Sequence, residues 1–432
     1  MSWPSPARAW WAVAVFCATA VLSYADRQVL SLLVDPIRTD LGLNDTQISL
    51  LLGLAFALIY SFAGLPLGRM ADMYPRKWLV VTGVLVWSAA TMACGLAESF
   101  AGLFAARVIV GIGEATLAPA AMSMIADYFP PQRRGLATGT FLMGMTAGSG
   151  VAIAIGGLVL GMANAGTFDA IPLLGTLPPW RMVLVLLGMP GIAVALLLIS
   201  VREPARQGLA TTSGATTMRA VLAGLGRQRA ILLPIYLALA IRSIGDIAVA
   251  YWTPSLLSRR FASEPGEIGV TLGAISIVAG IAGTLGGGWI ADRALLRLGP
   301  SGRLTSTTVA MFLATVAALI GFADTPVVVF ACFGLWTLMS AAAGAIAITT
   351  LQDVLPGEFR GVGIALASFG NILIGLGVGA TLTAMITEHV YRDPLAVAQS
   401  IGTVLLPAGL ISLALFHLAS RRLLATNHGA TR

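Results

Sequence analysis

Gly68-Arg-Met-Ala-Asp72 and Gly288-Trp-Ile-Ala-Asp292 carry one Gly-x-x-Ala-Asp pattern 220 residues apart, and each follows a long apolar run. The same offset relates Asp26 to Asp246 and Ile48 to Ile268. Further on, Asp127, Pro130, Arg134 and Gly135 recur as Asp353, Pro356, Arg360 and Gly361 at an offset of 226. Repetition of matched residues over so long a period marks a duplicated architecture.

The apolar runs give the unit that is duplicated. A membrane-crossing helix needs about 20 mostly apolar residues at 1.5 Å rise each. Such runs lie near residues 10 to 33, 46 to 67, 78 to 97, 101 to 126, 136 to 161 and 180 to 201. A second set lies near 231 to 257, 267 to 290, 304 to 322, 326 to 352, 361 to 387 and 398 to 419. The predicted fold is an all-α membrane protein of twelve spans, the first six recurring as the last six. Residues 1–201 form one six-helix bundle, 202–230 a Gly-, Thr-, Ser- and Arg-rich cytoplasmic linker, and 231–432 the second bundle.

Composition agrees, with 57% of the 432 residues hydrophobic, only 10% charged and a mean hydropathy of +0.88. A water-soluble chain carries roughly a quarter charged residues. The first apolar run follows Arg8 and continues past Asp26 to about Val34, too long for a cleaved signal peptide, so it reads as the first span. Cys17, Cys94 and Cys332 each lie inside an apolar run and form no disulfide or zinc pattern.

The net charge of +7 resides in short clusters between the runs, a distribution that sets topology and excludes nucleic acid as a partner. Arg69, Arg76, Lys77, Arg133, Arg134 and Arg219 are among the cations that fall on one side, whereas the other holds only Arg38, Arg181, Arg259, Arg260 and Arg392. The richer side is cytoplasmic, so both termini are inside. Trp10, Trp11, Trp78, Trp180 and Trp289 fall at span ends, as an interfacial belt requires. Scarce lysine and short tails suggest a bacterial inner membrane, and a monomer is the expectation.

A charged side chain near the bilayer centre costs at least ~2.5 kcal/mol, so each one needs a role. Six occur: Asp26, Arg27, Arg107, Glu114, Arg242 and Asp246. Depth counting puts Asp26, Arg27 and Arg107 at one level, with Glu114 two turns beyond Arg107 on the same face, about 10 Å deeper. Glu114 has no basic residue within a turn of its own helix. It is the leading candidate to carry a coupling proton, with Asp26 as partner and Arg27 or Arg107 pairing whichever carboxylate is ionised. Arg242 and Asp246, four apart, form either a self-contained ion pair or part of a substrate site with Arg27 and Glu114. Two bundles and a flexible linker describe a secondary transporter that rocks one half against the other. His389, His417 and His428 lack ligand spacing, so no catalytic set, metal or cofactor is expected and the protein is not an enzyme. Protons are the coupling ion.

Gly68, Asp72, Arg76, Lys77 and the recurring Asp292 form an expected conformational latch, with Asp72 capping a helix or pairing with a cation. This loop resembles that of the major facilitator superfamily, although Met73 stands where that family has a basic residue and Pro75 where it has glycine. Arg107-Val-Ile-Val-Gly111-Ile-Gly113-Glu114-Ala115 is similar to its helix 4 motif, whose arginine is implicated in proton coupling. Gly139, Gly148, Gly156 and Gly157 match the flanks of the drug/proton antiporter motif, but Ala152-Ile153 replaces its Gly-Pro centre. Tyr24-Ala-Asp26-Arg27, Trp87-Ser88, Gly111-Ile-Gly113-Glu114-Ala115, Ile125-Ala-Asp127-Tyr-Phe129 and Gly148-Ser-Gly150 resemble the Spinster-like branch. That resemblance implies an anionic amphiphile such as a lysophospholipid or sphingosine-phosphate-like molecule, its head met by Arg27 or Arg242. The alternatives are an organic-anion/proton symporter for small carboxylates and a multidrug/proton antiporter.

Overall fold

The computed structural model describes residues 3–172, 174–206, 226–355 and 360–430. Residues 207–225, most of the expected linker, and the side chain of Asp72 lie outside the described residues.

Among the described residues twelve helices are long and apolar enough to cross a membrane. They are α1 Pro6–Leu32, α2 Asp45–Ala71, α3 Arg76–Gly95, α4 Phe100–Tyr128, α5 Leu136–Asn164 and α6 Pro179–Ser200, then α7 Arg229–Phe261, α8 Pro265–Leu298, α9 Ser301–Phe322, α10 Pro326–Leu351, α11 Leu366–Tyr391 and α12 Val397–Ala425. All twelve spans read from the sequence are present, with ends that differ by a few residues. Phe62, Leu136, Leu285 and Phe322 point outward and are exposed, an apolar surface suited to lipid.

The chain packs as two compact units, Met1–Ala210 with Ala262–Ile277, and Thr211–Phe261 with Val278–Arg432. The first part of α8 thus packs with the first unit, and the rest of α8 with the second.

Local chemistry explains the helix ends nearest the charged residues. Asn44 and Gln47 close a reciprocal capping box at the start of α2, with Asn44 Oδ1 accepting from Gln47 N at 2.7 Å. α4 is interrupted at Ala115 and Thr116, immediately after Glu114. Pro119 has no N–H to give the Ala115 carbonyl and its ring crowds that carbonyl, so the regular ladder cannot continue. α1 tightens into a 3-10 turn over Val29–Leu32, just past Arg27, where Pro36 imposes the same constraint on Leu32. The two helices that carry Arg27 and Glu114 are therefore irregular beside those residues.

Two glycines set how closely the helices approach. A Cβ on Gly113 of α4 would lie 2.8 Å from Trp87 Cβ and 2.9 Å from the Gly83 carbonyl of α3. A Cβ on Gly148 of α5 would lie 2.9 Å from Val21 Cα of α1. Gly113→Val should therefore overpack α3 against α4 and cost about 1–3 kcal/mol. Thermal melting of the purified protein in detergent checks this against Gly139→Ala, whose added Cβ meets nothing within 4 Å.

Candidate functional site

The first unit gathers all four of its expected intramembrane charges. Ser23 and Arg27, one turn apart on α1, both donate to Glu114 Oε2 of α4, at 2.8 Å from Ser23 Oγ and 2.6 Å from Arg27 Nη2. Glu114 is 1% exposed and its Oε1 has no partner among the described residues. Three rings surround the Arg27 guanidinium: Phe56 at 4.1 Å, Tyr24 at 4.8 Å and Tyr60 at 5.3 Å. Charge-assisted bonding and cation–π contact together offset the cost of taking this guanidinium out of water.

Asp26 is turned about 100° around α1 from Arg27. It is fully buried and interacts with Arg107 and Glu114, while the Thr91 hydroxyl of α3 faces it without closing a bond of normal geometry. Arg107 is 2% exposed, and its Nε and Nη2 are unpartnered among the described residues. The expected levels therefore need correction. Arg27 and Arg107 both lie over the Phe56 ring, at 4.1 and 5.7 Å, and Arg27 also reaches Glu114, expected about 10 Å deeper. Glu114, which has no basic residue within a turn on its own helix, takes one from α1.

The second unit builds a different polar network at the matching place. Arg242 Nη1 meets Asp246 Oδ2 at 2.9 Å within α7 and donates to the Ser340 carbonyl at 2.9 Å and hydroxyl at 2.6 Å. Asp246 Oδ1 accepts from Trp336 Nε1 at 2.9 Å and from the Ser340 hydroxyl. The pair is thus tied to α10 and is not self-contained. Ser340 stands 226 residues after Glu114, so a hydroxyl occupies the repeat position where the first unit has a carboxylate. Arg242 also borders a cavity of about 220 Å³ with Gly344, Ser368 and Asn371. Arg242 Nε and Asn371 Oδ1 are buried and unpartnered among the described residues.

At the expected latch, Arg76 is 1% exposed and acts within its own unit. Its guanidinium pairs with Asp127 at the end of α4, and its Nε donates to Glu203 Oε1 at 2.8 Å. Glu203 also accepts from the backbone N–H of Arg76 at 3.3 Å and of Lys77 at 2.8 Å. Pro75 offers no side-chain acceptor at the start of α3, and Glu203, just past α6, supplies one. Gly68 lies in open space, while Asp292 pairs with Arg303 at 3.3 Å and Arg303 also pairs with Asp353. An Arg–Asp bond from the start of the third or ninth span to the end of the fourth or tenth recurs in both units.

Sequence reasoning missed Ser23, the rings around Arg27, Thr91, Ser340, Trp336 and Glu203. The four-residue step from Ser23 to Arg27 and the 226-residue offset carry the signals for Ser23 and Ser340. Trp180 is also reassigned: it is buried, with Nε1 on Asp40 at 3.2 Å, and does not join the interfacial belt.

The Major Facilitator Superfamily model matches residues 16–380. The chain belongs to that superfamily. Its members are transporters, and twelve apolar helices make this one a multi-pass integral membrane protein. Among its relatives is an MFS-type efflux pump of Mycolicibacterium smegmatis, 28% identical over 93% of this chain and 89% of the pump. Protein spinster of Drosophila melanogaster is 25% identical over 63% of this chain, a match that spans 44% of that protein. A crystal structure of a bacterial homologue of the human lysosomal transporter Spinster, inward-facing and unoccupied, superposes with a TM-score of 0.84 at 24% identity. That match covers 97% of this chain and 98% of the homologue.

Removing the Arg76 side chain would take a buried guanidinium away from both Asp127 and Glu203. Arg76→Ala is expected to destabilise by about 3–5 kcal/mol. Arg260→Ala, whose partner Asp324 is 86% exposed, should cost about 0–1 kcal/mol. Denaturation midpoints of the two variants in one detergent make the comparison.

Proposed function

We propose that this transporter couples substrate movement to protons through Asp26 and Glu114. The observation that carries the reading is the unequal partnering of two buried carboxylates of the first unit. Glu114 is held by Ser23 and Arg27, whereas both oxygens of Asp26 are unpartnered among the described residues. A proton on Glu114 weakens the bond to Arg27, and a freed guanidinium is then available to another anion. Burial favours the neutral acid and a near arginine favours the carboxylate, so relative movement of α1 and α4 is enough to change the proton occupancy. Asp26 and Arg107 form the second half of that exchange.

The substrate proposed is an anionic amphiphile of the lysophospholipid or sphingosine-phosphate kind, consistent with the similarity to Spinster proteins. The head group pairs with Arg27 once Glu114 is protonated, or with Arg242, and apolar helix faces receive the tail. A second reading, a small carboxylate, is favoured by the size of the cavity at Arg242 and by the Nε donor of that arginine, which has no partner among the described residues. Kinship with an efflux pump keeps a multidrug antiporter as the third, against the Ala152-Ile153 substitution in α5. The arginine distribution supports cytoplasmic termini, and composition supports a bacterial inner membrane. The protein works as a monomer.

Flux into proteoliposomes with an imposed pH gradient tests the coupling. Wild-type transport should follow the gradient, and Glu114→Gln, which keeps shape but cannot ionise, should make it insensitive to pH. A Glu114→Gln variant with an unchanged pH profile removes the assignment. Direct binding of lysolipids against short carboxylates separates the substrate readings: strict preference for the short acids discards the amphiphile.

A further inference from the structure

Five side chains of the first unit present seven buried polar atoms that have no hydrogen-bond partner among the described residues. They are both carboxylate oxygens of Asp26, Thr91 Oγ1, Ser88 Oγ, Trp87 Nε1, and Nε and Nη2 of Arg107. Native interiors leave few such atoms, and a buried carboxylate without a donor is the most costly kind.

Ser88 turns toward Gly191 of α6, and the other four side chains belong to α1, α3 and α4. Trp87, Thr91 and Cys94 recur at four and then three residues along α3 and so share one face. Thr91 and Cys94 on that face interact with Asp26, and Cys94 also with Arg107. Trp87 Cβ lies against Gly113, the residue before Glu114. Their chemistry is complementary but their geometry is not: Trp87 and Arg107 only donate, ionised Asp26 only accepts, and the hydroxyls do both. A molecule that donates two bonds and accepts two joins such a set, and buried polar pockets with several unmet partners are where internal water is found.

We propose that Trp87, Thr91, Arg107 and Asp26 enclose an ordered water cluster between α1, α3 and α4, and that this water passes the proton to and from Asp26. The second part rests on the proton-coupled reading; the first does not. The charged and titratable groups that face Asp26 are Arg107 and Glu114 from α4, the Cys94 thiol from α3 and its neighbour Arg27 on α1. Asp26 and Glu114 then exchange protons differently. Glu114 must first part from Arg27, while Asp26 meets water that Thr91 holds in place. Thr91 is a positioning residue, acting on Asp26 through that water.

Hydroxyl-radical labelling by brief X-ray pulses in ¹⁸O water, read by mass spectrometry, detects side chains that touch bound water even when bulk solvent cannot reach them. Trp87 and Cys94 should be labelled, whereas Trp252, equally buried but with its Nε1 bonded to the Ala380 carbonyl at 3.0 Å, should not. Trp87 labelling as weak as that of Trp252 overturns the cluster. Thr91→Val, close in shape but without the hydroxyl, should reduce labelling of Cys94 and slow gradient-driven uptake more than gradient-free exchange. Reduced labelling with both rates affected alike overturns the relay. Wild-type flux indifferent to pH, with Trp87 labelled, instead contradicts the coupling and leaves the water in place.

Discussion

A guanidinium and a carboxylate, each buried in an apolar bundle, meet at 2.6 Å between α1 and α4. The side chains around the pair compensate for taking it out of water. Ser23 supplies the second donor to the same oxygen, and Phe56, Tyr24 and Tyr60 cover the cation with ring faces. The proline-imposed breaks in both helices lie next to the charged residues. Breaking such a pair by removing the charge of one partner is costly, because it leaves the other charge buried and uncompensated. If Glu114 takes up a proton, Arg27 must find another anion or water.

The second unit meets the same constraint without a carboxylate on its equivalent of α4. Ser340 at the repeat position of Glu114 leaves Arg242 to find its counter-charge on its own helix, four residues on at Asp246. Trp336 and Ser340 then bind the carboxylate, and the arginine, whose Nε has no partner among the described residues, borders a small cavity. Duplication has preserved the helices and the peripheral Arg76–Asp127 and Arg303–Asp353 bonds, while the chemistry at the membrane centre has diverged.

The spans were legible because hydropathy and length are sufficient to define a membrane helix, and the repeat because Asp72 and Asp292 close matched Gly-x-x-Ala-Asp patterns. Identity of the six intramembrane charges was equally plain, since lipid leaves no other reason for them to persist. Their partners were not. Depth counted along straight helices placed Glu114 about 10 Å beyond the level of Arg27, yet the long arginine side chain meets it. Glu203 as the cap of α3 was hidden for another reason: it is 126 residues from Lys77, and only the tertiary fold brings it to a helix start that Pro75 leaves open.

If Asp26 and Glu114 link proton occupancy to substrate, then binding itself must change the number of protons held, with no membrane or gradient present. Adding a lysolipid to the purified protein in weakly buffered detergent with a pH indicator measures that number. A proton exchange that accompanies binding in the wild type and is absent in Asp26→Asn combined with Glu114→Gln is the expected result. Saturable binding with no proton exchange across the neutral and mildly acidic range contradicts the account.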